Sequence, residues 1–402
     1  MSKLADKSLI IIFSAIMLSL TIYGLSTYGR SAWSSMRRLD NMDNVETVNI
    51  VAEVNNAPEF GEFIRPFDGF WIDINGLAAR LLGQRELNSI YRLNNGQLSW
   101  KPATLDYVPN IPAIIEPGVS ALTALNDFLA EQGGEVLFVM APGKVSKYED
   151  LLTKEAYDPE NTVADAFLDA LTANKVDNVD LREIFHDLGY SSEELFYITD
   201  HHWRAETGGF YAYQAIVKTL ADLGFIGETD PMLTDIASFK KTTYEKLFLG
   251  YYGKRVGQYF GGVDDFVLIE PDFDTLISTE IPNWDNYVTG TWTEATIFKS
   301  LLEKRDYYNL SAYAAYGNSD FSYGIRKNYN APIDKKLLVI GDSFGNVPYS
   351  LLTLIFREVQ EIDMRTYNRD YAAYLEEYSP DITIVLAGVN AIGDENVVKV
   401  AP

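Results

Sequence analysis

Lys336-Leu337-Leu338-Val339-Ile340-Gly341-Asp342-Ser343-Phe344-Gly345 is the stretch on which the fold of this chain turns. Its four consecutive apolar residues, 337–340, mark a short strand buried on both faces. Gly341 permits a tight turn. Leu351, Leu352 and Leu354 follow, and their spacing predicts a helix over 349–359. A strand that enters a helix through this turn leaves Ser343 near the helix start, where backbone N–H groups favour negative charge. A serine nucleophile and its oxyanion suit that position. A plain serine N-cap reads from the same residues.

Outward from this turn, helix and strand alternate. A helix over 121–132 places Leu122, Leu125, Phe128 and Leu129 on one face, and Gly133-Gly134 stops it. Residues 135–140, Glu-Val-Leu-Phe-Val-Met, read as a second buried strand. Helices follow over 164–174 and 206–223, with a brief strand at 195–198 and a last strand at 381–386. Apolar strands separated by helices predict a three-layer α/β/α domain with a mainly parallel sheet. The stretch 248–285 breaks the alternation with five glycines, many aromatic rings and Asp264-Asp265. It reads as an irregular insertion or a small β excursion, of the kind that shapes a cleft. There is no internal repeat and no low-complexity tract.

The chain has 402 residues and a net charge of -24, with 57 acidic side chains against 33 basic. That balance argues against binding to a nucleic-acid backbone, which rests on Lys and Arg neutralising phosphates. An anionic polymer as substrate would need a local basic patch to offset it. There is no cysteine, so disulfides, thiolate zinc sites and cysteine nucleophiles are excluded. Residues 8–29 carry no charge, and Lys3 and Lys7 precede them. About 20 apolar residues span a bilayer, so the run reads as one N-terminal transmembrane helix. It is longer than the roughly 7–15 residues of a signal-peptide core, which favours an uncleaved anchor. Arg30, Arg37 and Arg38 follow it and outnumber the leading lysines, a bias that opposes export of the C-terminal bulk. The organisation expected is 1–29 as anchor or signal, 30–58 as stalk or linker, and 59–402 as the globular domain.

The second informative string is Asp200-His201-His202-Trp203, which holds two of the three histidines. It follows a strand and precedes a helix, at a sheet edge where α/β active sites form. Asp200 and His202, two residues apart, can turn into one cleft. His202 would take a proton from Ser343, and Asp200 would fix the imidazole tautomer. His201 would point elsewhere in a structural part. A metal pair is the competing reading. Adjacent histidines diverge and no third histidine has ligand spacing, so neither metal nor cofactor is expected. Gly388-Val389-Asn390 closes the last strand, where the Asn390 amide would serve as an oxyanion donor or as a plain turn residue. His186 reads as a helix-surface residue.

In combination these strings resemble the DHHW family of the SGNH-hydrolase-like superfamily, related to the alginate O-acetylation proteins. Asp200-His201-His202-Trp203 gives the family string as it stands. The Asp/His block precedes the Gly-Asp-Ser block, which is similar to the permuted order of the acetylation branch. Ala141-Pro142-Gly143-Lys144, Val179-Asp180-Leu181-Arg182, Arg365 and Ser379-Pro380-Asp381 agree with it. The resemblance implies Ser343 as nucleophile, His202 as general base and Asp200 as orienting acid. Gly388 and Asn390 match the oxyanion block, although Ala391 stands where an aspartate usually follows. Arg365 and Asn368 would line the cleft. The implied function is O-acetylation of a cell-surface or exported polysaccharide by an extracytoplasmic domain on a single-pass membrane anchor. The acyl group would come from a membrane-bound O-acyltransferase partner. An acetylesterase would use the same triad. A non-catalytic glycan-binding or assembly protein is the third reading, favoured by the aromatic stretch 248–285.

Overall fold

The apolar residues 337–340 lie within a strand, Ile333–Gly341, near the middle of an eight-stranded sheet. The computed structural model describes residues 68–282, 286–317, 322–392, 397 and 399–401. The chain divides into two units, Met1–Ile72 and Asp73–Pro402, and of the first only 68–72 are described. The expected anchor and stalk therefore lie outside the described residues. Among the described residues no helix is long and apolar enough to cross a membrane.

In chain order the sheet comprises β1 (Glu135–Ala141), β2 (Asp177–Asp180), β3 (Ile277–Ile281), β4 (Asn286–Gly290), β5 (Tyr323–Asn328), β6 (Ile333–Gly341), β7 (Phe356–Asp363) and β8 (Ile382–Gly388). Their spatial order is β4-β3-β5-β7-β6-β8-β1-β2. From β7 to β2 every pairing is parallel. From β4 to β7 the pairings are antiparallel. In register, Gly341 at the end of β6 faces Asp363 at the end of β7 and Leu386 of β8, which runs on to Gly388 beside the Ser343 turn.

Among the described residues, the sheet is covered by α1 (Ile111–Ala130), α2 (Glu160–Ala173), α3 (Phe210–Asp222), α4 (Asn346–Leu352) and α5 (Tyr371–Tyr378). Successive strand residues point to opposite faces. Thus Leu137, Val139 and Ala141 of β1 join a core with Phe210 and Ile216 of α3 and Leu351 of α4. Val136, Phe138 and Met140 join the other core, with Leu125 of α1, Phe167 of α2 and Leu375 of α5. The mixed α/β fold with a mainly parallel sheet is as the sequence predicts, in three layers.

Several local expectations are corrected. The first helix begins at Ile111 rather than 121, with a proline in its opening turn, where the missing N–H costs nothing. No strand occupies 195–198. Ser191 and Glu194 form a reciprocal capping box that starts a short helix, Ser192–Leu195, and Phe196 makes only an isolated bridge to Trp203. The helix expected from 206 opens as a π turn, Ala205–Gly209, before α3. The helix expected over 349–359 ends at Leu352, and Phe356 begins β7. Short apolar runs do not distinguish helix from strand by period alone. Here pairing with β5 and β6 decides. The 248–285 stretch is partly a β excursion. Phe239–Phe248 pairs with Asp264–Pro271, two short helices lie between them, and β3 then returns the chain to the main sheet.

Candidate active site

Ser343 follows β6 directly, in a single 3₁₀ turn that leads into α4. Asp342 caps that turn, its Oδ1 accepting from Phe344 N at 2.9 Å. The two flanking glycines have a steric reason. A Cβ on Gly345 would stand 2.1 Å from the Tyr349 ring, and one on Gly341 would stand 2.4 Å from its hydroxyl. Tyr349 donates its O–H to Ile340 O at 3.1 Å and so braces the turn from behind.

The Asp200–His202 loop meets this turn. His202 Nε2 lies 2.7 Å from Ser343 Oγ, and His202 Nδ1 lies 2.5 Å from Asp200 Oδ1. Asp200 can only accept when ionised, so Nδ1 carries the proton and Nε2 is left to accept from the serine hydroxyl. Asp200 is buried and takes two further donors, His202 N at 2.9 Å and Tyr251 N at 2.6 Å. Burial pushes its carboxyl up, but His202, His201 and these hydrogen bonds outweigh it and hold Asp200 well below the usual carboxylate range. The Tyr313 ring stacks on His202 at 4.0 Å and Phe344 packs at 5.3 Å, which confines the imidazole.

Residues to which sequence reasoning assigned no part in the relay hold the loop in place. Asp264 is buried and accepts from Ile198 N at 2.7 Å, Thr199 N at 2.8 Å and Thr199 Oγ1 at 2.6 Å. Thr199 Oγ1 in turn accepts from Gly250 N at 2.9 Å. Buried Lys144 donates to Leu98 O at 2.7 Å and Ile198 O at 3.0 Å, and burial pushes its ammonium down to about 7. Gly250 is needed because a Cβ there would come 2.2 Å from Asp200 Cβ. The sequence signals available were the Asp264-Asp265 pair and the glycines of the irregular stretch, but nothing local ties them to Asp200.

The remaining predicted residues fall as follows. His201 does not turn away: its ring lies 3.8 Å from that of His202, and it lines a cavity with Phe344 and Gly388. Burial, with His202 beside it, pushes His201 down to about 3, so it is neutral at physiological pH. Gly388 ends β8 and Asn390 lies in the following turn, Val389–Ala391; the side chain expected to donate lies outside what is described. Arg365 forks onto Asp363 at 3.0 and 2.6 Å, and Asn368 is exposed. His186 is exposed on its helix and stacks on Tyr148 at 3.7 Å. Asp200, His201 and His202 also bring one potential metal ligand each within 4.8 Å of one another. Asp200 Oδ1 and both nitrogens of His202 are, however, taken up in the relay to Ser343.

Fold and site together define an α/β domain with a Ser–His–Asp relay at the ends of parallel strands. Residues 105–238 match the family model described as the SGNH hydrolase-like domain of the acetyltransferase AlgX. No curated protein matches by sequence. Among solved structures, Bacillus cereus PatB1 with a sulfonyl adduct superposes with a TM-score of 0.63 at 20% identity, covering 77% of this chain and 97% of that one. A DHHW family protein from Eubacterium siraeum superposes with a TM-score of 0.54 at 16% identity, covering 78% and 95%. At these identities the structures share the fold. The chain is thus similar to SGNH-hydrolase-like proteins over residues 105–238, and it shares a fold with PatB1 and with the DHHW family protein.

Proposed function

We propose that this protein is an O-acetyltransferase that passes an acetyl group through an ester on Ser343 to a hydroxyl of a cell-surface or exported polysaccharide. The observation that carries the reading is the continuous hydrogen-bonded chain from Ser343 Oγ through His202 to Asp200. Ser343 Oγ attacks the acetyl carbonyl of the donor while His202 Nε2 takes its proton. Asp200 stabilises the imidazolium. The tetrahedral intermediate collapses, and the donor's leaving group departs with the proton from His202. A sugar hydroxyl then attacks the acetyl-serine and gives its proton to His202. Collapse of the second intermediate releases the acetylated sugar, and Ser343 Oγ recovers the proton.

Gly388 and Asn390, at the end of β8, serve the developing oxyanion in this reading. Arg365 and Asn368 contribute to the approach to the cleft. The uncharged run 8–29 anchors the protein, with the catalytic domain outside the membrane. The acetyl donor is delivered by a membrane-bound acyltransferase partner, as the resemblance to the acetylation branch implies.

The chemistry is tested by quenching the protein during turnover of p-nitrophenyl acetate and mapping the label by mass spectrometry. Acetylation of the Ser343 peptide, absent from Ser343→Ala, is expected. Turnover without an acyl-Ser343 species would overturn the reading. Adding glycan separates transfer from hydrolysis: acetylated glycan is expected, and hydrolysis unaffected by glycan identifies an esterase instead. Placement is tested by protease shaving of intact cells, where protection of the C-terminal domain would refute an extracytoplasmic site.

A further inference from the structure

The cavity beside the Ser343 turn has a volume of about 320 Å³. His201, Phe344 and Gly388 join it to the relay, but most of its wall comes from residues the relay does not use. Trp100 and Tyr107 line it while remaining 38% and 49% exposed. Trp100 is held by edge-to-face contacts with Tyr251 and Tyr252, at 5.9 and 5.6 Å between centroids. The Arg255 guanidinium, which is not part of the lining, lies over the same ring at 5.0 Å. Fixed aromatic rings in a concave site suit a ligand with apolar C–H faces.

Asp158 and Glu160 line the same cavity. Asp158 Oδ1 accepts from Glu160 N at 2.9 Å. The Glu160 carboxyl lies against the Gly143 backbone, where an added Cβ would come 2.8 Å from its Oε2. Among the described residues no ion pair is formed by either carboxyl. Both lysines of the lining are committed elsewhere. Lys144 donates to Leu98 O and Ile198 O, and Lys101 pairs with Glu86 at 2.9 Å. A sugar hydroxyl entering here meets hydrogen-bonding carboxyls. A uronate meets two acids and no uncommitted cation in the wall, a like-charge contact that suppresses a wrong partner.

We propose that this cavity is the acceptor subsite and takes an uncharged, hydroxyl-bearing sugar unit in preference to a uronate, with Trp100 and Tyr107 as stacking faces and Asp158 and Glu160 as hydroxyl-binding groups. The proposal rests on the O-acetyltransferase reading of Ser343. Burial beside Asp158 pushes Glu160 up to about 8, so the acid pair holds a proton at neutral pH and can donate as well as accept.

The test is calorimetric binding of two tetrasaccharides of equal length, cellotetraose and tetragalacturonate, to the full-length protein. Saturable cellotetraose binding is expected, at least tenfold tighter than tetragalacturonate. Trp100→Ala should weaken cellotetraose at least tenfold. Asp158→Asn, which preserves shape and removes the charge that the singly protonated pair retains, should narrow the gap between the two sugars. Thermal melts confirm that each variant is folded, and Tyr107→Ala replaces Trp100→Ala if the latter fails that check. Equal or tighter tetragalacturonate binding, or aromatic and Asp158 variants that bind like the parent, would overturn the proposal. Turnover of p-nitrophenyl acetate is measured on the same preparation. Ser343-dependent turnover without cellotetraose binding rejects the subsite alone, whereas loss of both rejects the acyl-serine reading as well.

Discussion

Replacing Gly250 with alanine asks whether the placement of Asp200 sets the rate. Gly250 has φ -75° and ψ -177°, an extended conformation open to any residue, so the substitution introduces no backbone strain. It introduces a contact. The new Cβ would stand 2.2 Å from Asp200 Cβ and 2.4 Å from Oδ2, where ordinary contact begins at 3.4 Å. The two groups must separate by roughly 1 Å, and a misplacement of that size costs on the order of 10² in rate. Two bonds are exposed to the shift: Tyr251 N to Asp200 Oδ2 at 2.6 Å, and Asp200 Oδ1 to His202 Nδ1 at 2.5 Å. The expected outcome is a kcat for p-nitrophenyl acetate about 10²-fold below the parent, in a protein that still melts cooperatively. Made in an Asp200→Ala background, the same change should cost little more, because both act through one element. A folded Gly250→Ala with parental kcat would refute the reasoning. So would an undiminished hundredfold loss in the Asp200→Ala background, which would locate the damage elsewhere.

Three further outcomes are expected. Ser343→Ala and His202→Ala should each reduce ester turnover to background, and the double variant should be no worse than either; losses that multiply would contradict a single catalytic unit. Asp200→Asn should lower kcat on the order of 10⁴ through the wrong imidazole tautomer, and a pH–rate profile that merely shifts without loss would count against that role. Glu160 bears on stability: its carboxyl rises from an ordinary 4.5 to about 8 in the fold, chiefly by burial. Between those values the folded state holds more protons than the unfolded chain, so stability falls as pH rises through that window. Glu160→Gln should therefore gain on the parent in melting temperature from about pH 4.5 to 8, and a pH-independent difference would argue against a buried, protonated Glu160.

Much of the relay was legible in the sequence because its pieces are local. Asp200 and His202 are two residues apart, and Ser343 follows a strand that announces itself by four apolar residues. The strand order, however, cannot be read from such runs. Residues 356–359 read as the end of a helix, but pairing with β5 and β6 makes them the start of β7. The groups that lock the relay were equally invisible. Tyr251 N reaches Asp200 across 51 residues of chain, and Asp264 reaches Thr199 across 65. His201 was expected to diverge from the site, yet the turn of the loop leaves it against His202 and the cavity wall.

The sequence by itself determined the layered α/β class, the residue types able to relay a proton, and the exclusion of cysteine chemistry. Those follow from hydrophobic period, composition and short-range spacing. Only the tertiary structure decided that Ser343 Oγ lies 2.7 Å from His202, that Gly250 gives Asp200 its place, and that an aromatic and acidic cavity opens beside them. These depend on where β6, β8 and the 239–271 ribbon bring distant segments together, and long-range packing has no period in the chain to announce it.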